Sequence, residues 1–570
     1  MTHEYRARRF EVEALTRVEG EGGLIVEVRD GELADVRLRI FEPPRFFEGF
    51  LAGRHFTEPP DITARICGIC PVAYQMSACQ ALEAACGVEV DDDIRTLRHL
   101  LYCGEWIESH VLHVHLLHAP DFLGYPSGLA MAVDHRAEVE RGLRLKKIGN
   151  RIVEVVGGRA VHPVNVRVGG FYSAPSTATL RELAVELRQA LTDAIDVARW
   201  VATFDMPDHE LPDGTALVAL RHPTEYPMLG ERLVSTTGLD IGVDEYPEHF
   251  AEVQVEHSTA LHGSMLAGGD YLVGPLARFA LNADHLAPTA AALAAELGLD
   301  PGERNPFRSI LVRAIETVHA CEVAVAIAEA YAVPARASVP VEPRAAAGCG
   351  WSEAPRGLLW HRYEIDGDGR IAAARIVPPT SQNQPAIEHD LAHLIGHSMH
   401  LDDDELEAVC EQAVRNYDPC ISCATHFLDM RIHRSRPRRP SSPSSPSAIP
   451  TGATTQWGPP CSPRWRRVSA TKRACVWPNS TANRWESSRP GKVRRSSGSS
   501  TRRRRTGRPD RFKNSTHANS ACPTRRGEAS VVAMRSVCGR RSSSPAHSTG
   551  FPQNSGCSAS RARRSTTARA

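Results

Sequence analysis

At 570 residues and 42% hydrophobic content, the chain is a globular protein of roughly two to four domains rather than one small core. It has no apolar run long enough to span a bilayer, and its charged N-terminal stretch MTHEYRARRFEVEALTRVEG lacks the apolar segment of a secretory signal, so a cytoplasmic location is expected. The net charge of zero averages two unlike parts: residues 435–570 carry 29 Lys and Arg against 3 Asp and Glu, leaving 38 against 64 in residues 1–434.

Residues 10–28 and 33–40 alternate apolar and polar side chains and predict strands of a small antiparallel sheet. Helical patterns follow over 71–86, which opens on Pro71, and over 96–118, 177–204 and 313–331. A second β-rich stretch, 356–377, holds two strand patterns around an Asp-Gly turn, and 390–416 reads as helix again. The predicted class is α+β, mainly α-helical, with one folded domain over 1–434.

Residues 435–570 are rich in Arg, Ser and Pro, show no sustained periodicity, and predict a disordered tail by composition. A nucleic-acid arm is one reading of such charge. Out-of-frame translation fits better: sliding the codons of PSSPSSPS forward by two bases permits AVVAVVAV, a buried-strand pattern. We assign the tail no function and expect no nucleic-acid partner.

Fifteen cysteines in a chain of this length argue against a small disulfide scaffold and read as metal ligands or buried thiols. Four of them form two C-x-x-C pairs, Cys67/Cys70 in RICGICP and Cys420/Cys423 in DPCISCATH. Soft sulfur ligands select nickel, iron, zinc or copper(I) over magnesium or calcium. A structural four-thiolate zinc site is one reading, but such sites usually draw on pairs close in sequence. Here 349 residues separate the pairs, enough to fold unaided, which makes a buried catalytic metal more attractive. Cys79, Cys86, Cys103, Cys321, Cys349 and Cys410 lack metal-type spacing and read as buried small hydrophobes.

With their flanking residues, RICGICP and DPCxxCxxH resemble the large subunit of nickel–iron hydrogenases over about residues 10–430, most nearly the cytoplasmic, bidirectional, NADP-linked sulfhydrogenase branch. The resemblance implies Cys67 and Cys420 as terminal nickel thiolates, and Cys70 and Cys423 as thiolates bridging nickel and an iron that also holds carbon monoxide and cyanide. It implies a proton-relay role for Glu19 in RVEGEG, where Glu21 stands in place of the His of many relatives. Glu48 and His426 match the ligands of a magnesium or iron ion near the mature C-terminus. Asp121 matches an active-site aspartate and Arg356 the arginine above the open metal position. In 377–380, Pro378 and Thr380 match the loop that contacts a cyanide ligand. His110, His113, His115 and His118 permit a second metal, but we read them as hydrogen-bonded core histidines.

The function implied is reversible heterolytic cleavage of dihydrogen, the proton passing through Cys420 and a buried Glu19. Residues 1–434 hold no further cluster signature and no GxGxxG between strand and helix, so no iron–sulfur cluster or flavin is expected on this chain. An iron–sulfur small subunit, flavin and NAD(P) diaphorase subunits, maturation proteins and an endopeptidase cleaving after His426 are the implied partners. A hydrogen-sensing subunit of the same fold and a zinc scaffold without catalysis are the alternatives.

Overall fold

The N-terminal alternation folds as an antiparallel sheet of β1 (Arg8–Val12), β2 (Gly22–Arg29) and β3 (Glu32–Ile40), in that order. The computed structural model describes residues 8–29 and 32–425. Leu24, Val26 and Leu38 lie on the buried side of this sheet. The alternation predicted strand from 10 to 28, but residues 13–21 form a loop, with Gly20 in the left-handed region at φ +94°. That interruption matters, because the loop carries Glu19.

Seven helices of 14 or more residues are present among the described residues: α1 (Pro71–Cys86), α2 (Asp92–Leu112), α3 (Arg136–Gly157), α4 (Thr177–Val201), α5 (Ser309–Ala330), α6 (Pro379–Ser398) and α7 (Asp403–Asn416). The bounds of α1 match the sequence reading, with Pro71 in its first turn and Gly87 as a left-handed C-cap. The helix predicted over 390–416 is two helices. Asp402 accepts from the Glu405 N–H, and Glu405 accepts in return from the Asp402 N–H, so this capping box starts α7 afresh. Helix α3 was not foreseen. It packs against α2 through Gly149, where a Cβ would fall 2.7 Å from the Glu108 nitrogen.

Helix α2 runs into a π-helical turn, His113–His118. Pro120 has no N–H to bond back to Leu116, and the Ala119 N–H bonds instead to the Val114 carbonyl, five residues back. The four histidines of this region are buried. His113 Nε2 lies 2.8 Å from the Arg415 carbonyl, His110 Nε2 lies 3.0 Å from Glu316, and His115 Nδ1 lies 3.1 Å from the Val111 carbonyl, with its ring stacked on Trp200. They are core histidines, as read from the sequence, and none belongs to the groups of metal-ligating side chains that converge among the described residues.

Three further strands, after the hairpin of β4 (Phe250–Gln254) and β5 (Leu261–Met265), form an antiparallel sheet: β6 (Ala346–Ala354), β7 (Gly357–Ile365) and β8 (Ile371–Val377). The Asp-Gly turn predicted inside 356–377 joins β7 to β8, with Gly369 at φ +75°. Strand β6 lies on α1. Gly350 permits that approach, since a Cβ there would sit 2.5 Å from the Ala81 nitrogen. A buried ion-pair network crosses these layers: Arg278 pairs with Glu316 of α5 and Glu353 of β6 while its guanidinium lies 4.5 Å from the Trp106 ring. Among the described residues no helix is long and apolar enough to cross a membrane.

Burial pushes the His115 pKa from its usual 6.5 down to about 4. Above pH 6.5 the ring is neutral in both folded and unfolded chains and adds no pH dependence. Between pH 6.5 and 4 the unfolded chain takes up a proton that the folded chain does not. The folded state therefore loses up to about 3 kcal/mol as the pH falls through that window. His115→Leu is expected to remove this loss, so that variant and wild-type stabilities, measured by urea melts at pH 7 and pH 4.5, converge or cross toward acid. Melts that shift in parallel would contradict the assignment.

Candidate metal centre

The two C-x-x-C pairs sit at opposite ends of the described chain and meet in the largest apolar cluster of the core. Cys67 and Cys70 end the loop before α1. Its first turn is capped from α2, where the Glu105 carboxylate accepts from the Val72 N–H (2.5 Å) and the Ala73 N–H (3.1 Å). Cys420 is the N-cap of the short helix Ile421–Ala424, which contains Cys423 and follows Asp418, a left-handed residue at φ +48°. The two segments are fastened together. Arg45 donates to the carbonyl of Ile66 (2.7 Å) and to that of Ser422. The Ile421 N–H bonds to the Glu19 carbonyl (2.9 Å), and the Cys420 N–H donates to Thr380 Oγ1 (3.0 Å).

The four sulfurs lie within 4.8 Å of one another. Cys67 and Cys420 are 3.4 Å apart, Cys70 and Cys423 3.5 Å, and Cys420 and Cys423 2.7 Å, all far beyond a disulfide bond of about 2.05 Å. None of the four is in a disulfide, and all are buried. Hydrogen bonds from Cys420, Cys423 and Cys70 hold the Cys67 thiol well below the usual range, while burial, followed by the neighbouring sulfurs, pushes Cys420 well above it. Burial thus disfavours thiolate charge across the group, and a bound cation would replace thiol protons. This donor set, four sulfurs with no oxygen or nitrogen, fits a soft transition-metal centre.

Arg356 is buried beside the sulfurs. Its Nη2 donates to Asp418 Oδ1 (2.9 Å) and its Nε to the Asp418 carbonyl (2.7 Å). Burial works against its charge, but Asp418 and the sulfurs of Cys420, Cys70 and Cys67 together raise its pKa well above the usual arginine value. Asp418 was legible as part of the DPC motif, but its pairing with Arg356 was not read from the sequence. Arg45 and Tyr74 were also missed. Burial, then the sulfurs of Cys423, Cys70 and Cys420, raise the Tyr74 phenol well above its usual range, so it stays protonated beside them.

Glu19 is half-buried, where a buried carboxylate was expected. One of its oxygens accepts from Cys420 Sγ (3.1 Å) and from the Ser422 N–H (3.1 Å). Asp121 Oδ1 accepts from Arg17 and from Arg415 (3.4 Å), so its described partners are arginines rather than sulfurs. Glu48 Oε1 accepts from the Ile376 N–H of β8 (2.8 Å). Pro378 precedes α6 as its N-cap, and its carbonyl accepts from Ser381 Oγ (3.0 Å). His426 and the tail 435–570 lie outside the described residues.

Four buried thiols drawn from two distant segments onto one point, with the charged side chain of Arg356 buried beside them, define a metal-binding protein with a soft-metal centre. The family of nickel-dependent hydrogenases matches residues 45–141 and 273–426. The chain is 34% identical to the sulfhydrogenase 1 subunit alpha of Pyrococcus furiosus, over 73% of this chain and 97% of that protein, and 33% identical to the sulfhydrogenase 2 subunit alpha of the same organism, over 74% and 100%. Among solved structures, an NAD+-reducing [NiFe]-hydrogenase superposes with a TM-score of 0.66 at 26% identity, over 74% of this chain and all of that one. The Ni-Fe-Se hydrogenase of Desulfomicrobium baculatum shares the fold with a TM-score of 0.62 at 23% identity, over the same 74% and its whole chain. The chain belongs to the nickel-dependent hydrogenases, as a catalytic large subunit.

Arg45 holds both cysteine segments through their carbonyls, so Arg45→Ala is expected to leave the fold intact and lower nickel occupancy about tenfold. Metal analysis of matured protein, with circular dichroism as the check on folding, reads this directly. Undiminished nickel in the variant would show that the clamp is dispensable.

Proposed function

We propose that this hydrogenase cleaves dihydrogen heterolytically and reversibly, with Cys67, Cys70, Cys420 and Cys423 holding a nickel–iron centre whose iron also carries carbon monoxide and cyanide. When bound, the centre supplies the Lewis acid that polarises dihydrogen and the redox couple that takes its electrons. The observation that carries this reading is the 3.1 Å contact between Cys420 Sγ and the Glu19 carboxylate. Cys420 accepts the proton at sulfur and passes it to Glu19. From Glu19 the proton leaves by way of the Ser422 hydroxyl and Glu42, which are 3.2 Å apart. Arg356, fixed by Asp418, holds a positive charge against the sulfurs and orients toward the reacting molecule. Tyr74, kept protonated by burial and by the sulfurs, adds no charge of its own beside the thiolates.

Thr380 has its Oγ1 engaged by the Cys420 N–H, which leaves its own hydrogen for a cyanide nitrogen, and Pro378 shapes the same loop. Glu48 and His426 bind magnesium or iron near the mature C-terminus, and Asp121 sets the position of Arg17 and Arg415 near the proton route. Electrons leave through an iron–sulfur small subunit to flavin and NAD(P) diaphorase subunits in the cytoplasm. Maturation proteins load the metals, and an endopeptidase then cleaves after His426. The "subunit alpha" names of the P. furiosus relatives and the NAD+-reducing structural neighbour support this organisation. We assign residues 1–434 to the catalytic domain and 435–570 to an out-of-frame tail.

Replacing Glu19 by Gln keeps its shape and removes its basicity. We expect Glu19→Gln to retain nickel and iron while hydrogen-dependent dye reduction falls by about 100-fold or more. Wild-type turnover in a fully metallated variant would overturn Glu19 as the relay.

A further inference from the structure

Away from the cysteines, a second set of metal-ligating side chains converges on one point. His257 lies in the connection between β4 and β5, His262 is the second residue of β5, and Glu388 projects from α6. One ligand atom from each lies within 4.8 Å of the others. His257 Nε2 is 2.8 Å from Glu388 Oε1, and the two imidazole rings stand nearly perpendicular with centroids 5.4 Å apart.

A hydrogen-bonded His–Glu pair would account for His257 and Glu388 but not for His262. That residue is only 7% exposed; its polar neighbour outside the His–Glu pair is Gln384, and its Nε2 makes no hydrogen bond of normal geometry. Gln384, one helical turn before Glu388, faces His262, and its buried amide oxygen and nitrogen likewise make no hydrogen bond of normal geometry. Buried polar groups left without good hydrogen bonds are costly, so they ask for a partner. One cation would satisfy the imidazole and the carboxylate together. The site is also reachable. His257 and Glu388 are half-buried, and His257 lines a cavity of about 470 Å³ together with Arg39 and Glu256.

We propose that His257, His262 and Glu388 bind one divalent transition-metal ion, zinc foremost, separate from the four-cysteine centre. Two imidazoles and one carboxylate suit zinc and disfavour magnesium and calcium, which prefer all-oxygen shells. Three protein ligands leave a coordination position for water or for the Gln384 oxygen. The ion braces three elements. Glu388 also accepts the Leu38 N–H of β3 (2.8 Å), and the first turn of α6 carries Thr380, the partner of Cys420. The ion thus sits on the same helix whose first turn contacts one of the nickel thiol residues, a turn that other bonds also hold.

The test uses matured, chelator-washed enzyme with its nickel and iron counted as an internal reference. Zinc alone is titrated, and cobalt(II) serves as the spectroscopic substitute. The expected result is one zinc per chain beyond the cysteine-bound metals, with a nitrogen and oxygen shell by zinc-edge absorption. Affinity is expected to fall about tenfold or more in His262→Ala and in His257→Asn, with nickel and iron unchanged. His257 is half-buried, so its variant keeps the test valid if His262→Ala folds poorly. Absence of the extra equivalent, a sulfur shell around it, or equal binding by wild type and both variants would overturn the site.

Discussion

Everything in this molecule depends on bringing two short cysteine segments, 349 residues apart in sequence, onto one point inside an apolar core. Thiols there repel as thiolates and gain little as neutral groups, so the sulfurs do not hold themselves together. The surrounding polar contacts do. Arg45 spans the carbonyls of Ile66 and Ser422, Glu19 is stitched to Ile421 and Ser422, and Thr380 receives the Cys420 N–H. These contacts join separate segments, so the centre depends on the tertiary fold.

The scaffold around the centre spends charge to gain position. Arg356 and Asp418 are a fully buried pair, as are Arg278 and Glu316, and breaking such a pair by removing one partner typically costs about 3–5 kcal/mol. Arg356 is fixed through both its Nε and its Nη2 to a residue two positions before Cys420. Arg278 ties α5 to β6 at the depth of Trp106. Glycines set the remaining distances, Gly350 between β6 and α1 and Gly149 between α3 and α2, where any side chain would meet backbone.

Much of this was legible because local signals agree with the fold. Pro71 and Gly87 bracket α1, the alternation of 33–40 gives β3, and the paired C-x-x-C motifs give the centre. What escaped was non-local or locally ambiguous. The helix predicted over 390–416 breaks at a capping box, and the strand predicted over 10–28 is cut by the loop that carries Glu19. Asp418 stands in a motif that was read, yet its partner is 62 residues away in β-sheet context. Arg45 binds backbone carbonyls, which carry no side-chain signature, and Tyr74 looks in sequence like any aromatic on a buried helix face.

The central claim is that the four buried thiols hold nickel. Nickel-edge X-ray absorption on protein matured in a host with hydrogenase maturation machinery tests it most directly. The account predicts a nickel shell dominated by the sulfurs of Cys67, Cys70, Cys420 and Cys423, and loss of that shell when Cys67 or Cys420 becomes Ser. A nickel shell of nitrogen and oxygen, or nickel retained unchanged in both serine variants, would contradict it.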